Sequence, residues 1–228
     1  MKSVAMLPLV LVAVAGIGCG GAARPPVAAP SQPAAGGAVP AAHYAALFAP
    51  DTRWTYQVVS ESSMSDPGDP KADKDGMVKE RTTSTITCHV AEVRAWKRGV
   101  ASRVECDAPL NPNDDPLAGV WVADPRGLFH PDEDLPAAGA DLPLADARLV
   151  IAAAPRAGKD EKKGTGDEEG FGESTEIAQK DGAWCVTYAS WGGDESYETL
   201  CFAASGIVKG GSGWAGGSVH DTTFELVR

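Results

Sequence analysis

The chain has 228 residues, of which 31 are acidic and 20 basic, with a formal net charge of −11 at pH 7. This length suffices for one domain with a substantial hydrophobic core. The excess of acidic side chains disfavours nucleic acid as a partner, because binding to phosphates needs a basic face. We interpret the acidity as the ordinary charge of a solvent-exposed surface.

The first nineteen residues have the pattern of an export signal. Lys2 supplies a positive charge, Val4–Ile17 is an apolar run of fourteen residues, and small residues precede Cys19. As a helix, this run would reach about 21 Å, which is short of the roughly 30 Å hydrocarbon core of a bilayer. It is therefore expected to direct export and not to span a membrane. Ordinary secretion, with cleavage after Ala15, is one possible outcome.

At Cys19 the sequence resembles the bacterial lipoprotein precursors, in which a cysteine is diacylated and becomes the mature N-terminus. The resemblance implies a signal peptide at residues 1–18 and a membrane attachment through lipid on Cys19. Gly20 follows the cysteine in place of Asp, which in Gram-negative bacteria resembles lipoproteins released to the outer membrane. In a Gram-positive host, the chain would instead lie on the outer face of the cell membrane.

Residues 19–42 begin with Cys19 and continue as an Ala/Pro/Gly-rich stretch with a single charged side chain, Arg24. Five prolines prevent a continuous helix, and nothing in the stretch can fill a core. The sequence therefore predicts a semi-extended tether, followed by one domain at residues 43–228.

The domain has the alternation of β-strands. In Arg53–Ser63 the side chains of Trp54, Tyr56 and Val58 share one face, which predicts a strand with one buried side. Similar segments follow at 77–93, 100–106, 119–123 and 222–227, and residues 171–179 lead into the hairpin of Cys185 and Cys201. Residues 159–170 are charged and lack apolar side chains, so they are expected to form an exposed, mobile loop. The predicted fold is a single antiparallel β-rich domain with little helix: a meander sheet, a sandwich or a partly open barrel.

Four cysteines follow Cys19, and their positions predict two disulfides. Cys88 and Cys106 are symmetric about a turn at residue 97, and Cys185 and Cys201 are symmetric about a turn at residue 193. In a hairpin with that register the two cysteines of each pair lie directly opposite each other. We therefore predict Cys88–Cys106 and Cys185–Cys201, although four cysteines allow two other connectivities. Two disulfides indicate an oxidising compartment, and the even number leaves Cys19 free for lipid.

Three short patterns suggest chemistry but lack the context that it requires. Gly211-x-Gly213-x-x-Gly216 matches a dinucleotide fingerprint, yet a strand-like segment follows where a helix should begin. The segment 73–76 resembles a calcium loop but lacks two of the essential ligands. His130 precedes a run of acidic residues that could form a surface cation site, although a solvated acidic loop is the simpler interpretation. We predict no catalytic residue, no metal and no cofactor.

Six tryptophans are the remaining unusual feature. Trp54, Trp121 and Trp184 lie in strand patterns and are expected in the core, whereas Trp96, Trp191 and Trp214 lie in or beside turns. The latter three form a possible binding surface. The predicted function is a non-catalytic binding or structural module of the cell envelope, with a protein, glycan or lipid as partner. A carrier of a lipid or other apolar ligand in a curved sheet is the alternative, and a hydrolytic enzyme is a weaker one.

Overall fold

A computed structural model describes residues 41–96, 98–110, 115–132, 134–135, 137, 144, 147–165 and 170–227. Within these residues the chain forms one short helix and twelve strands. The first half comprises α1 (Ala41–Leu47), β1 (Arg53–Ser65), β2 (Met77–Trp96), β3 (Gly99–Cys106), β4 (Gly119–Asp124), β5 (Gly127–His130) and β6 (Arg148–Ala152). The second half comprises β7 (Gly158–Lys163), β8 (Gly172–Lys180), β9 (Ala183–Trp191), β10 (Glu195–Ala203), β11 (Gly206–Ala215) and β12 (Ser218–Leu226).

The predicted signal peptide, Cys19 and most of the tether lie outside the described residues, so they stay predictions. The last two residues of the expected tether, Ala41 and Ala42, already belong to α1.

The twelve strands form one antiparallel sheet that is not closed, which confirms the predicted β-rich domain. Their order is β6-β5-β4-β3-β2-β1-β12-β11-β10-β9-β8-β7, a meander in which the first and last strands pair at the centre. The edges, β6 and β7, are joined by residues 153–157 alone. A connection of this length spans at most about 22 Å, so the sheet must curve until its two edges come near each other.

One end of the inner face is filled by aromatic side chains. In β1, Trp54, Tyr56 and Val58 are 6, 1 and 4 % exposed, as the alternation predicts. Phe48, which follows α1, stacks on Trp121 with ring centroids 5.1 Å apart. Tyr44 and Phe202 belong to the same apolar cluster. We call this part of the inner face the apolar end.

Both disulfides have the predicted pairing, but they lie on opposite faces of the sheet. Cys88 and Cys106 are joined across β2 and β3, and Cys185 and Cys201 across β9 and β10, each pair with Cα atoms 4.0 Å apart. Cys88 lies in the apolar cluster of the inner face. The second pair lies on the outer face, in a small cluster with Ala183. The disulfides indicate an oxidising, exported environment.

The two edges of the sheet are protected in different ways. On β6, the carbonyl oxygens of Leu149 and Val150 share the proton of the Tyr188 hydroxyl, which lies 2.9 and 3.0 Å from them. The hydroxyl of Tyr44 donates to Ala152 O at 3.1 Å. These bonds satisfy backbone groups that could otherwise pair with another chain.

The opposite edge corrects the prediction of a mobile loop at 159–170, because β7 pairs with β8 over its whole length. All six residues of β7 are exposed, and no inward apolar residue marks the strand in the sequence. Opposite charges face each other across the ladder, with Lys159 opposite Glu176 and Lys162 opposite Glu173. The charged side chains of this strand protect the edge of the sheet. Residues 166–169 of the expected loop lie outside the described part of the chain.

Candidate functional site

In several neighbouring strands, the inward-facing residues change from apolar to polar at the same position along the sheet. Directly paired residues of adjacent strands share a face, so the register divides the inner surface into rows across the sheet. One row consists largely of apolar residues and forms the boundary of the hydrophobic core: Val58, Phe224, Gly210, Leu200, Val186, Ile177. The next row, two residues further along each strand, consists of polar side chains: Thr82, Ser60, Thr222, Ser212, Glu198, Tyr188, Thr175. We call it the Glu198 row.

A second polar row follows the Glu198 row at the end of the strands. Its members are Ser62, His220, Trp214, Ser196, Ser190 and Glu173. We call it the Trp214 row. Where the hydroxyl side chains replace large apolar ones, the concave surface is left partly unfilled. The result is a cleft of about 770 Å³ lined by residues of both rows together with Arg148 of β6. This volume lies within the range of small-molecule sites. We call it the polar cleft.

The floor of the polar cleft is a clamp between β6 and β10. The guanidinium of Arg148 donates two hydrogen bonds to the carboxylate of Glu198, at 3.0 and 2.7 Å. The same guanidinium lies 4.7 Å from the centre of the Tyr188 ring. Burial raises the pKa of Tyr188 to about 12, so its hydroxyl stays protonated and donates to β6. These contacts hold the edge strand across the inner face and separate the cleft from the core.

An aromatic pair forms part of the cleft wall. Trp214 is 37 % exposed, and the ring of His220 stacks on it with centroids 6.0 Å apart. The hydroxyl of Ser218 and Nε2 of His220 lie 3.2 Å apart, within hydrogen-bond distance. Further along the row, the hydroxyls of Ser190 and Ser196 are bonded at 2.8 Å. The wall therefore offers an indole surface beside several hydroxyl groups.

The charged groups that line the cleft leave a small net charge of −1. They comprise the carboxylates of Glu173 and Glu198 and the guanidinium of Arg148. Because Arg148 is already engaged by Glu198, the cleft offers little attraction to a phosphate or carboxylate ligand. Its surface is suited to an uncharged polar ligand.

The structure does not bring the three tryptophans of the predicted binding surface together. Trp214 lines the polar cleft on the inner face. Trp191 lies at the end of β9. The alternation of the strand places its side chain on the outer face, where the ring covers Gly172. Trp96 ends β2 at the opposite end of the sheet, and its side chain lies outside the described structure. The other three tryptophans are core residues as predicted, although Trp184 is only partly buried.

The glycine-rich segment and the aspartate-rich loop are explained by backbone packing. Gly213 lies under the ring of Tyr197 and Gly210 under that of Phe224, where a Cβ would collide with each ring. The dinucleotide-like motif is thus part of a strand and of the turn into β12. Asp73 accepts hydrogen bonds from the Nζ of Lys79 and from two backbone amides, and these contacts lower its pKa to about 2.

His130 is partly buried, and its ring packs against the core. Its Nε2 bonds Ala118 O at 3.0 Å, and its ring centroid lies 4.4 Å from that of Trp121. Burial lowers the pKa of His130, an effect that the hydrogen bond to Ala118 opposes. Among the described residues, no group of His, Cys, Asp and Glu side chains has the arrangement of a metal site.

No protein-family model matches the chain, and a search of curated proteins finds no significant match. In the part of the chain that the structure describes, no helix is both long and apolar enough to cross a bilayer. The function must therefore be argued from the chemistry of the polar cleft and from the sequence.

Sequence reasoning missed the residues of the clamp and most of the cleft. The useful signal was present along the strands: in β1 the inward positions change from Val58 to Ser60, and in β12 from Phe224 to Thr222. A change of this kind in one strand is uninformative, since strands commonly end in polar residues. Only the register shows that neighbouring strands change at the same level.

Proposed function

We propose that the chain is a non-catalytic binding module of the bacterial cell envelope, anchored through lipid on Cys19, which holds a polar ligand in the polar cleft. The observation that carries this proposal is the change of the inner face from apolar to polar residues at one level of the sheet. A surface of this kind contributes little to the hydrophobic core. It provides hydrogen-bonding groups around an open space, as ligand sites do.

The anchoring part of the proposal rests on the sequence and is supported by the disulfides. The chain has five cysteines, and four of them are paired in the described domain. Cys19, which follows the signal-like segment, is the one left for acylation. A tether of residues 19–42 would then hold the domain away from the membrane surface, which is the outer membrane in a Gram-negative host.

The carrier of an apolar ligand is the less favoured function. It would need an apolar inner surface with free space, whereas the apolar end is occupied by the side chains of Tyr44, Phe48 and Trp121. The open part of the inner face carries hydroxyls and a carboxylate instead. A hydrolytic enzyme is less favoured too. The clamp fixes Glu198 against Arg148. Among the described residues, no carboxylate bonds the imidazole of His220, which lies 3.2 Å from the Ser218 hydroxyl.

Metabolic labelling with a palmitate analogue tests the anchor. The full chain, expressed in a Gram-negative host, should incorporate the label and fractionate with the membrane. Cys19→Ala should lose the label, whereas Cys88→Ala/Cys106→Ala should keep it. An unlabelled wild-type chain would refute the anchor.

Extracts of envelope material test the binding function. A water-soluble envelope fraction should raise the midpoint of thermal unfolding of the wild-type protein, because a ligand that binds only the folded state stabilises it. Ser196→Trp, which fills the cleft, should abolish this shift. Stabilisation by the lipid extract alone would favour the carrier.

A further inference from the structure

We infer that the polar cleft is a saccharide site, in which an uncharged sugar ring packs on Trp214 and its hydroxyls bond to the Glu198 row. The inference rests on the proposed function and names the class of its ligand. It starts from the combination of groups that the register brings to one place: an exposed indole, several hydroxyls and a fixed carboxylate.

The indole selects for one property of a sugar. A pyranose ring presents C–H groups on its faces and hydroxyls around its rim, so it can pack on an aromatic surface and still form hydrogen bonds at its edge. Trp214 is 37 % exposed, while its position is supported by the stacked ring of His220. A flat apolar surface next to polar groups therefore suits a ligand that has apolar faces and a polar rim.

The Glu198 row supplies the matching polar groups. Each hydroxyl of the protein can both donate and accept a hydrogen bond, as each hydroxyl of a sugar can. The carboxylate of Glu198 is held by two bonds from Arg148, and its side chain is 12 % exposed. Because each carboxylate oxygen accepts more than one hydrogen bond, Glu198 can accept a further bond from a ligand hydroxyl without moving. A site preorganised in this way loses little entropy on binding.

The charges and the hydroxyls exclude the competing classes of ligand. An anionic ligand would need an available cation, and the guanidinium of Arg148 is already engaged by Glu198. An acyl chain would have to bury the hydroxyl groups of Thr175 and Ser196, which line the cleft and are open to solvent, without replacing their hydrogen bonds to water, which is unfavourable. The volume of about 770 Å³ has room for a short oligosaccharide.

Isothermal titration calorimetry tests the inference on the mature chain, purified from the envelope in a detergent without a sugar head group. The probes are maltotriose, cellotriose and triacetylchitotriose, with inorganic phosphate and sodium laurate as the competing classes. We expect at least one of the trisaccharides to bind, and Trp214→Ala to weaken that binding by about ten-fold or more.

Trp191→Ala is the matched control, because Trp191 lies near the same end of the sheet on its other face. It should leave saccharide affinity unchanged, whereas Ser212→Val, which removes one hydroxyl of the Glu198 row, should lower it. Circular dichroism and thermal unfolding confirm that the variants are folded. Binding that is insensitive to Trp214→Ala, or that Trp191→Ala weakens equally, would overturn the inference.

The remaining outcomes separate the inference from the proposed function. If no trisaccharide binds and laurate binds in a manner that depends on Trp214, the saccharide inference and the polar-ligand proposal both fail, and the carrier takes their place. If phosphate binds and Trp214→Ala weakens its binding, the saccharide inference fails while the cleft is still a site for a polar ligand. Failure of all five probes overturns the saccharide inference and leaves the palmitate result unaffected.

Discussion

The apolar end and the polar cleft are built by the same strands and share one inner face, yet they have opposite chemistry. In β10, the inward residues Leu200 and Phe202 pack in the core, whereas Glu198 and Ser196, further towards the strand's start, line the cleft. The alternation of the strand continues unchanged across this boundary. Two-residue periodicity therefore identifies the face of a strand, and only the identity of successive inward residues shows where the core ends.

The apolar end and the polar cleft are also expected to have different roles: the first stabilises the fold, and the second binds the ligand. Burial of aromatic side chains stabilises the fold by about 1.5–3 kcal/mol each. Partly exposed side chains of the cleft contribute much less, so they are available for recognition at small cost to the fold. We expect substitutions at the two ends to have effects of different size and kind.

The largest difference should be between two tryptophans. Trp121 is 1 % exposed, stacks on Phe48, and donates from Nε1 to Leu117 O at 2.8 Å. Trp121→Ala should lower the free energy of unfolding by about 3–5 kcal/mol, measured by urea denaturation with the disulfides intact. Trp214→Ala should lower it by less than about 1 kcal/mol. Similar losses at both positions would contradict the division of the inner face into two ends.

The two disulfides sharpen the same comparison, because they lie in apolar clusters of very different size. Their sequence separations are 18 and 16 residues, so chain entropy predicts about 3 kcal/mol of stabilisation from each. Replacing Cys88 and Cys106 by Ala should cost about 1 kcal/mol more than replacing the outer pair, since the cavity then lies in the larger cluster, whose neighbours are less able to close it. Urea denaturation of the two double variants tests this, and equal or reversed losses would refute it.

The clamp that divides core from cleft should have an intermediate effect. Removing one partner of a half-buried, bidentate pair leaves the other charge poorly solvated, so Glu198→Gln and Arg148→Met should each cost about 2 kcal/mol. A double-mutant cycle on the free energy of unfolding measures their coupling. The exposed pair of Arg81 and Glu61 is the control, for which we expect about 0.5 kcal/mol or less. Equal coupling energies in the two cycles would show that the clamp stabilises the fold no more than an exposed ion pair does.

Features that depend on one strand or one hairpin could be predicted from the sequence. The alternation of Trp54, Tyr56 and Val58 identifies a buried face without knowledge of any neighbour. The pairing of Cys88 with Cys106 follows from its distance to one turn. β7 could not be predicted, because its side chains are all exposed and its pairing depends on backbone hydrogen bonds to β8.

The candidate site depended on more distant information. The cleft arises where β8 to β12 align their polar residues and where β6 crosses the inner face. That arrangement needs the register of every strand and the curvature of the sheet, and none of these is encoded in a local pattern. The same reason explains why Trp191 and Trp214 were expected on one surface, since the parity of each residue follows from its register.

The smallest effect should come from His130, a partly buried titratable side chain that packs on Trp121 of the apolar end. Burial lowers the pKa of His130 in the folded state below its ordinary value of about 6.5. Between the two values the unfolded chain binds more protons, so stability is lost as the pH falls below about 6.5. The slope is at most about 1.4 kcal/mol per pH unit, and the loss ends below the folded pKa. Urea denaturation between pH 7.5 and 5.5 measures it.

Matched variants isolate this contribution from those of other titrating groups. His130→Phe removes the buried imidazole, so its stability should depend less steeply on pH than that of the wild type over the same range, even if its absolute stability differs. His130→Asn, whose side chain does not titrate, should lose the same part of the slope. If His130→Phe retained the full slope, the acid sensitivity would have to originate outside the apolar end. Among the described residues, His130 is the imidazole that packs on this end, and the variant lacks it.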